Sequence, residues 1–372
     1  MPTRREVIDR IRRAIAPLYE PREAEQIARR FTFERCGITL TQYVVAPEAQ
    51  ADIPDLEESV RQLAAGRPVQ YVLAHTEFCG MTFEVGEGVL IPRPETEELV
   101  AAAAAGAVAG AAALDVGTGS GCIAVSLARL IPDARVTAVD LSPQALAVAR
   151  RNAVRLGAEV RFVQADALAG LHELPDAAFD LIVSNPPYFV GSLTCPDAGR
   201  TAARHAVHLP FEALRDAVLR LLAPGGRFAL ILPSSEAERF LAVCRDTLTL
   251  VRRTDVRTTP RREAKRALLC LTRPAGAPLL LRQLTAGASA LAGPAVSAGA
   301  SASAPSGLVV SVASPLNVPG AAVAVPSVSA ALPEETGRPV VPLRDELVVG
   351  TGGHESYTPE YRALTRDFYL KF

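Results

Sequence analysis

The spacing of apolar positions divides the chain into a helical first part and a mixed second part. The segments VIDRIRRAI and PREAEQIARRF carry apolar residues at intervals of three and four, and DLEESVRQLAAG ends on Gly66. This spacing predicts amphipathic helices within residues 1–75. The runs TEFCG and MTFEV then alternate, which predicts a small hairpin linker in residues 76–98. Pro92 and Pro94 predict an extended approach to a helix that begins at PETEELV.

Residues 99–273 alternate between short apolar runs and longer amphipathic ones. The predicted strands are AALDVG, RVTAVDL, VRFVQAD, FDLIVSN, RFALILP and ALLCLTR. Helical patterns such as CIAVSLARLI, PQALAVARRNAVRLG and PFEALRDAVLRLL separate them. Strands that are buried on both faces read as continuous apolar runs. The alternation therefore predicts an α/β fold, with an open, doubly wound, Rossmann-like sheet.

The last hundred residues carry a weaker signal. No charged residue occurs between positions 283 and 333, where Ala, Ser, Gly, Pro and Val dominate. We therefore predict a flexible low-complexity linker over residues 274–342, although GLVVSVA and AAVAV could form isolated strands. Aromatic residues and a helical pattern return in SYTPEYRALTRDFYLKF, which predicts a C-terminal tail with a short helix over residues 343–372.

The net charge gives no general indication of a nucleic-acid partner, because the 39 Lys and Arg residues are balanced by 40 Asp and Glu residues. Arginine is concentrated locally in MPTRREVIDRIRR and in residues 251–266, VRRTDVRTTPRREAKR. Such runs can bind phosphates, but a solvated helix face or loop is the commoner explanation.

Cysteine and histidine usage predicts neither disulfides nor a metal site. The six cysteines have no CxxC spacing, which is typical of free thiols in a reducing cytoplasm. His205 and His208 have no further cluster of ligands beside them in the sequence. No apolar run has the length and continuity of a membrane span. We therefore expect a cytoplasmic, monomeric protein with no membrane partner.

A glycine-rich turn follows the first predicted strand of the α/β part, in ALDVGTGSGCIAVSLA. Gly117, Gly119 and Gly121 let the backbone turn sharply and approach a ligand closely. The next strand ends on Asp140, whose carboxylate can accept hydrogen bonds from both ribose hydroxyls of a nucleotide. Asp166 ends a third strand, where it could meet an adenine amine. This spacing also fits nicotinamide enzymes. The predicted cofactor site comprises Gly117, Thr118, Gly119, Ser120, Gly121, Asp140, Asp166, Ala167 and Asn185.

The fourth strand of the α/β part ends in NPPY, residues 185–188, at the edge where doubly wound folds bind ligands. Prolines stiffen the backbone, so the Asn185 amide and the Pro186 carbonyl can bind a planar amide or amine, and Tyr188 can cover its face. This motif predicts methylation of such a nitrogen by S-adenosylmethionine, through positioning and hydrogen bonding rather than a strong base. The predicted catalytic residues are Asn185, Pro186, Pro187 and Tyr188.

Several of these segments together resemble the bacterial release factor glutamine methyltransferase family. They are GRPVQYVLAHTEFCGMTFEVGEGVLIPRPETEELV, LDVGTGSGCIAVSLA, AVDLSPQALAVARRNA and IVSNPPY, and the resemblance covers residues 1–188. It implies that the helical N-terminal domain engages class-I peptide chain release factors. It also implies that residues 117–121 and Asp140 bind S-adenosylmethionine, while residues 185–188 hold the glutamine of the GGQ loop.

Residues 189–273 and the C-terminal tail are instead similar to the tRNA adenine methyltransferase family that modifies the anticodon loop of a valine tRNA. The chain therefore reads as a hybrid, and tRNA is an alternative substrate supported by Arg204, His205 and the basic run 251–266. NPPY does not discriminate, because glutamine and adenine present similar planar N–H groups. A non-catalytic binding protein is the weakest hypothesis. Recruiting domains usually decide specificity where chemistry is shared, which favours the release factor.

Overall fold

A computed structural model of the chain describes residues 1–186, 210–257 and 263–273, together with the backbone of residues 343–348. These residues belong to one compact unit, which comprises Met1–Ala277 and Val341–Phe372. The predicted linker 274–342, the predicted helix in residues 356–372 and the two histidines at 205 and 208 lie outside the described residues. Pro187 and Tyr188 also lie outside them.

The first part of the chain is helical, as its periodicity predicts. Thr3 begins α1 with a capping box in which its side chain and Glu6 satisfy each other's backbone amides. A positive φ of 79° at Gly66 follows α4, which fits the predicted stop. The helices are α1 (Arg4–Ile15), α2 (Pro21–Cys36), α3 (Leu40–Val45), α4 (Leu56–Ala64) and α5 (Val69–Leu73).

These helices pack around a core of their own. It includes Ile11, Ile15, Phe31 and Leu63, each no more than 2% exposed. Three apolar side chains of α3 lie outside this core, since Leu40, Val44 and Val45 are 53%, 68% and 79% exposed, whereas Tyr43 packs against it. The apolar stripes of α1, α2 and α4 therefore stabilise the helical part, whereas α3 adds little to it.

The predicted hairpin is confirmed. Strands β1 (His75–Phe78) and β2 (Met81–Glu84) pair antiparallel, with Phe78 opposite Met81. The two turn residues between them, Cys79 and Gly80, both have positive φ angles, as a tight two-residue hairpin requires. Helix α6 (Pro94–Ala105) then begins at Pro94, whose fixed φ suits the first helical position.

The remaining described strands form one eight-stranded sheet in the order β10-β8-β9-β7-β6-β3-β4-β5. Strands β3 to β7 pair in parallel, whereas β9 runs antiparallel to β7 and β8. The strands are β3 (Ala112–Val116), β4 (Arg135–Asp140), β5 (Val160–Gln164), β6 (Phe179–Ser184), β7 (Leu222–Pro233), β8 (Thr249–Arg257), β9 (Arg266–Thr272) and β10 (Leu343–Val348). The helices among them are α7 (Cys122–Leu130), α8 (Pro143–Arg155), α9 (Phe211–Leu221) and α10 (Ser234–Cys244).

Neighbouring residues of the central strands belong to different apolar cores. Leu114 and Ile182 lie in one buried cluster, whereas Ala113 and Val183 lie in the other. Because side chains alternate across a strand, the sheet is covered on both faces, which explains its uninterrupted apolar runs. The predicted Rossmann-like α/β fold is therefore confirmed.

The chain changes direction in the sheet next to β3, which lies between β4 and β6. After β3 the chain builds β4 and β5 on one side and then returns to build β6 and β7 on the other. Such a reversal opens a crevice at the carboxyl ends of the strands, and doubly wound folds bind their ligands there.

Within the described part of the basic run 251–266, Arg253 differs from the prediction. The first residues of the run belong to β8, and Arg253 is 9% exposed. The Arg253 guanidinium donates to Asp255 over 2.9 Å and to Glu238 over 2.6 Å. This arginine is therefore neither on a solvated helix face or loop nor available to phosphates, because its charge is paired within the protein.

Two other strands depart from the sequence prediction. Strand β7 begins at Leu222 rather than at Arg227, so it includes a glycine pair that precedes the predicted strand RFALILP. Strand β10 pairs in parallel with β8, with Leu343 opposite Arg252, in a segment where the sequence predicts only a tail.

The helical core generates a stability prediction from two leucines. Leu63→Ala should lower the free energy of unfolding by roughly 2–5 kcal/mol, because it leaves a cavity in a packed core. Leu40→Ala is the matched control and should change it by less than about 0.5 kcal/mol, since this side chain is exposed. Urea denaturation of both variants measures the difference, and equal losses would contradict the assigned core.

Candidate active site

The glycine-rich turn joins β3 to α7, as predicted. Gly117, Gly119 and Gly121 have φ angles of 78°, 55° and 81°, which L side chains rarely adopt. The amides of Gly117 and Thr118 donate to the carbonyl of Val139, over 3.0 and 2.9 Å, and so attach the turn to β4. The backbone of the turn is thus fixed before any ligand arrives.

The three glycines serve two different purposes. A Cβ atom at Gly117 or Gly119 would meet nothing within 4 Å, so the backbone there borders open space. A Cβ atom at Gly121 would lie 3.0 Å from Cβ of Ala149 and 3.1 Å from its Cα, in α8. Gly117 and Gly119 therefore leave room for a ligand, whereas Gly121 allows close packing of the turn against α8.

Asp115 lies beneath the turn and is fully buried. Its Oδ2 atom accepts hydrogen bonds from the Thr118 hydroxyl, over 2.6 Å, and from the Ala124 amide, over 3.2 Å. Its Oδ1 atom is buried without a hydrogen-bond partner. Burial raises the pKa of Asp115 to about 7, and the two donors oppose that rise. Asp115 thus connects the turn to the first residues of α7.

The predicted acidic residue of β4 reaches the turn. Asp140 accepts the Gly119 amide at Oδ2 over 2.8 Å and the Ser142 amide at Oδ1 over 2.9 Å. A carboxylate has about four acceptor positions, so both oxygens can accept further bonds. The structure brings Asp140 and the glycines together, and its contact with a ribose stays a prediction.

Asp166 and Ala167 follow β5, next to the end of β4. The Ala165 amide donates to the carbonyl of Asp140 over 3.2 Å, which joins the two strand ends. Asp166 is partly exposed, and its Oδ1 accepts the Leu168 amide over 2.8 Å. The side chain is therefore held at the strand end, while its proposed contact with adenine stays a prediction.

Asn185 and Pro186 follow β6, with Asn185 half-buried and Pro186 buried. The Asn185 Nδ2 group donates to Oγ1 of Thr96 over 2.9 Å, and Thr96 is 2% exposed. This contact joins the NPPY motif to the first turn of α6. The roles predicted for Pro187 and Tyr188 concern residues outside the described part of the chain.

The hairpin is attached to the glycine turn by Asn152, which is fully buried in α8. Its Nδ2 group donates to the carbonyls of Ser120, over 2.9 Å, and Glu84, over 3.0 Å. Its Oδ1 atom accepts the Glu84 amide over 2.7 Å. Arg151 adds a bidentate ion pair with the Glu84 carboxylate. The hairpin and the turn therefore hold one another in position through a single side chain.

Cys122 and Cys79, two of the described cysteines beside these elements, are not suited to nucleophilic chemistry. Burial raises the pKa of the Cys122 thiol, at the start of α7, to about 12. Burial also raises the pKa of Cys79, in the hairpin turn. Both residues stay as neutral thiols at physiological pH and are poor nucleophiles.

Sequence reasoning missed Asp115, Thr96 and Asn152. Asp115 carries a usable signal, because a carboxylate within an otherwise apolar strand needs a partner or a function. Thr96 and Asn152 give no comparable signal, since polar residues are ordinary on helices and their partners are 89 and 68 positions away.

Two features are absent from the described ranges of the chain. No group of three or more His, Cys, Asp or Glu residues there has an arrangement suited to a metal ion. No helix in the same ranges is long and apolar enough to cross a membrane.

Residues 107–265 match a family model described as a methyltransferase domain. A release factor glutamine methyltransferase of Koribacter versatilis is 40% identical over 217 residues, which cover 55% of this chain and 76% of that protein. One from Deinococcus radiodurans is 37% identical over 217 residues, which cover 54% and 73%. One from Bacteroides thetaiotaomicron is 38% identical over 181 residues, which cover 48% and 65%.

The extent of these matches bears on the hybrid interpretation. A match that covers 55% of a chain of 372 residues includes more than the 188 residues that end with NPPY. The similarity to the Koribacter protein therefore continues into the part that the sequence pattern compared with tRNA enzymes.

The packing of the turn generates a prediction about Gly121. Gly121→Ala should destabilise the protein through its positive φ, by about 1–2 kcal/mol, and by roughly 1–3 kcal/mol more through the clash with Ala149. Gly157→Ala is the matched control, because its φ is 61° and a Cβ atom would meet nothing within 4 Å. Chemical denaturation compares the two, and equal losses would refute the close packing.

The burial of Asp115 generates a prediction about pH. Because its pKa rises from an ordinary 3.8 to about 7, its contribution to stability is complete below pH 3.8 and is lost as the pH rises through 7. Asp115→Asn keeps an acceptor for Thr118 and Ala124 without this titration. The unfolding temperature of the Asp115→Asn variant should therefore fall less between pH 5.5 and pH 8 than that of the wild type. Thermal denaturation at both pH values measures this difference. The exposed control Asp246→Asn should follow the wild type, and identical slopes for all three would contradict the assignment.

Proposed function

We infer the function of this chain from its family, because the chain belongs to the release factor glutamine methyltransferases. The chain is an enzyme of the methyltransferase class. We propose that it transfers a methyl group from S-adenosylmethionine to the side-chain amide nitrogen of the glutamine in the GGQ loop of class-I peptide chain release factors. The observation that carries this proposal is the placement of Asn185 beside the glycine turn, at the carboxyl edge of the sheet.

The residues of the turn fit S-adenosylmethionine. Open space at Gly117 and Gly119 would let a ligand approach the backbone closely. Asp140 lies beside them with acceptor capacity for the two ribose hydroxyls, and Asp166 follows the next strand with a carboxylate for the adenine amine. When bound, this cofactor supplies a methyl group that a sulfonium cation has already activated.

The protein's contribution is to hold the nucleophile. An amide nitrogen is a weak nucleophile because its lone pair is delocalised into the carbonyl group. The Asn185 Oδ1 atom and the Pro186 carbonyl can accept its two N–H hydrogens, which fixes the nitrogen and favours a localised lone pair. The nitrogen becomes acidic as it is alkylated and then loses one proton, so no strong base is needed.

Two observations weigh against the tRNA hypothesis. The match to the Koribacter enzyme continues beyond residue 188, where the tRNA resemblance begins. Arg253, in the basic run, is buried and paired with Asp255 and Glu238. Arg204 and His205 lie outside the described residues. The release factor is therefore the substrate that we propose.

The proposed chemistry makes Asn185 indispensable. Asn185→Ala removes the acceptor for the substrate nitrogen and should lower methyl transfer to a purified release factor about 100-fold or more. Labelled S-adenosylmethionine measures the transfer. A release factor whose GGQ glutamine is replaced by alanine serves as the control and should receive no label from the wild-type enzyme. Undiminished transfer by Asn185→Ala, or label on the control protein, would refute the proposal.

A further inference from the structure

We propose that Thr96 is a positioning residue that holds the Asn185 side chain in place, with the oxygen end of its amide left free for the substrate. This inference rests on the proposed function and assigns a specific task to a residue outside the NPPY motif. The contact that carries it is the hydrogen bond from Asn185 Nδ2 to Thr96 Oγ1, 2.9 Å long, between residues 89 positions apart.

The two ends of an asparagine side chain are nearly equal in size but opposite in hydrogen bonding. The nitrogen end only donates, and the oxygen end only accepts. A primary amide nitrogen in the substrate presents N–H groups and therefore needs the oxygen end. If the side chain turned over, the nitrogen end would meet the substrate N–H groups, and donor would face donor. In the structure Nδ2 is bound to Thr96, so Oδ1 is the end that can face the substrate.

Thr96 can hold this orientation because it is itself held firmly. It is 2% exposed, in the first turn of α6, and its amide donates to the Arg93 carbonyl over 2.9 Å. A buried threonine side chain has few rotamers open to it. Its hydroxyl is therefore a fixed partner for the Asn185 amide rather than an adaptable one.

The turn that carries Thr96 is attached to the protein on two sides. The Glu97 carboxylate accepts the Cys79 amide over 2.9 Å, which connects the turn to the hairpin. Glu95 forms an ion pair with Arg266 over 2.8 Å, which connects it to β9 of the sheet. Neighbours of Thr96 in the sequence thus attach α6 to two separate elements, and a small displacement of α6 relative to β6 is resisted.

The test separates positioning of Asn185 from folding through three substitutions. Thr96→Val keeps the shape of the side chain and removes the hydroxyl, whereas Thr96→Ser keeps the hydroxyl. Thr32→Val is the matched control, because Thr32 is also buried and its hydroxyl donates only to the Ala28 carbonyl of its own helix. Each purified enzyme is assayed for kcat and KM with release factor, and for binding of S-adenosylhomocysteine by calorimetry.

We expect Thr96→Val to lower kcat roughly 10- to 100-fold, the size of effect that a misplaced reacting group produces. The KM for release factor and the Kd of S-adenosylhomocysteine should stay within about twofold of the wild type. The substitution changes neither the helical N-terminal part, which we expect to engage the release factor, nor the glycine turn. Thr96→Ser should restore kcat, and Thr32→Val should leave it unchanged.

Two results would overturn the assignment while leaving the proposed function intact. One is wild-type kcat in Thr96→Val, and the other is a loss confined to KM or to cofactor binding. If Thr96→Val does not fold, Thr96→Ala replaces it, and equal impairment of Thr96→Ser and Thr96→Ala would then refute the role of the hydroxyl. Failure of the wild-type enzyme to methylate release factor in the same assay would instead refute the proposed function.

Discussion

The parallel pairing of β3 with both of its neighbours is the constraint on which the site depends. Val116 lies opposite Val139 of β4 and opposite Ser184 of β6. Because parallel strands end at the same edge of a sheet, the residues that follow these three must emerge together. Those residues are Gly117, Asp140 and Asn185. A shift of one residue in either pairing would turn the next side chains to the opposite face and disperse the site.

Elements outside the sheet also hold the residues of the site in position. Asn152 joins the hairpin to the glycine turn, and Thr96 joins α6 to the NPPY motif. Both are buried side chains that satisfy polar groups on a different element, so each contact is costly to break. The hairpin and α6 therefore contribute to the active site, and they also connect the helical core to the sheet. A site held in this way suits a reaction that depends on positioning rather than on a strong base.

Much of the fold could be predicted because it depends on local pattern. The strands from β3 to β6, the hairpin and the glycine turn follow from periodicity and from glycines that a positive φ requires. The strand ends also predict which residues meet, since Asp140 does reach Gly119. Where prediction failed, the determinant was a distant partner. The sequence predicts a surface charge at Arg253, whereas the structure shows that it is buried and paired with Glu238 and Asp255. Strand β10 forms by pairing with β8, and its own sequence gives no comparable sign. The contact of Thr96 with Asn185 could not be predicted either, because the two residues are 89 positions apart in the sequence.

The central claim is that this carboxyl edge methylates the side-chain amide of one glutamine. Its most direct test is fragmentation mass spectrometry of an intact class-I release factor after incubation with the purified enzyme and S-adenosylmethionine, with a valine tRNA offered in a parallel reaction. Our account predicts one added methyl group, located on the glutamine side chain of the GGQ loop, and an unmodified tRNA. A methyl group on the tRNA alone, or on a different residue of the release factor, would contradict it.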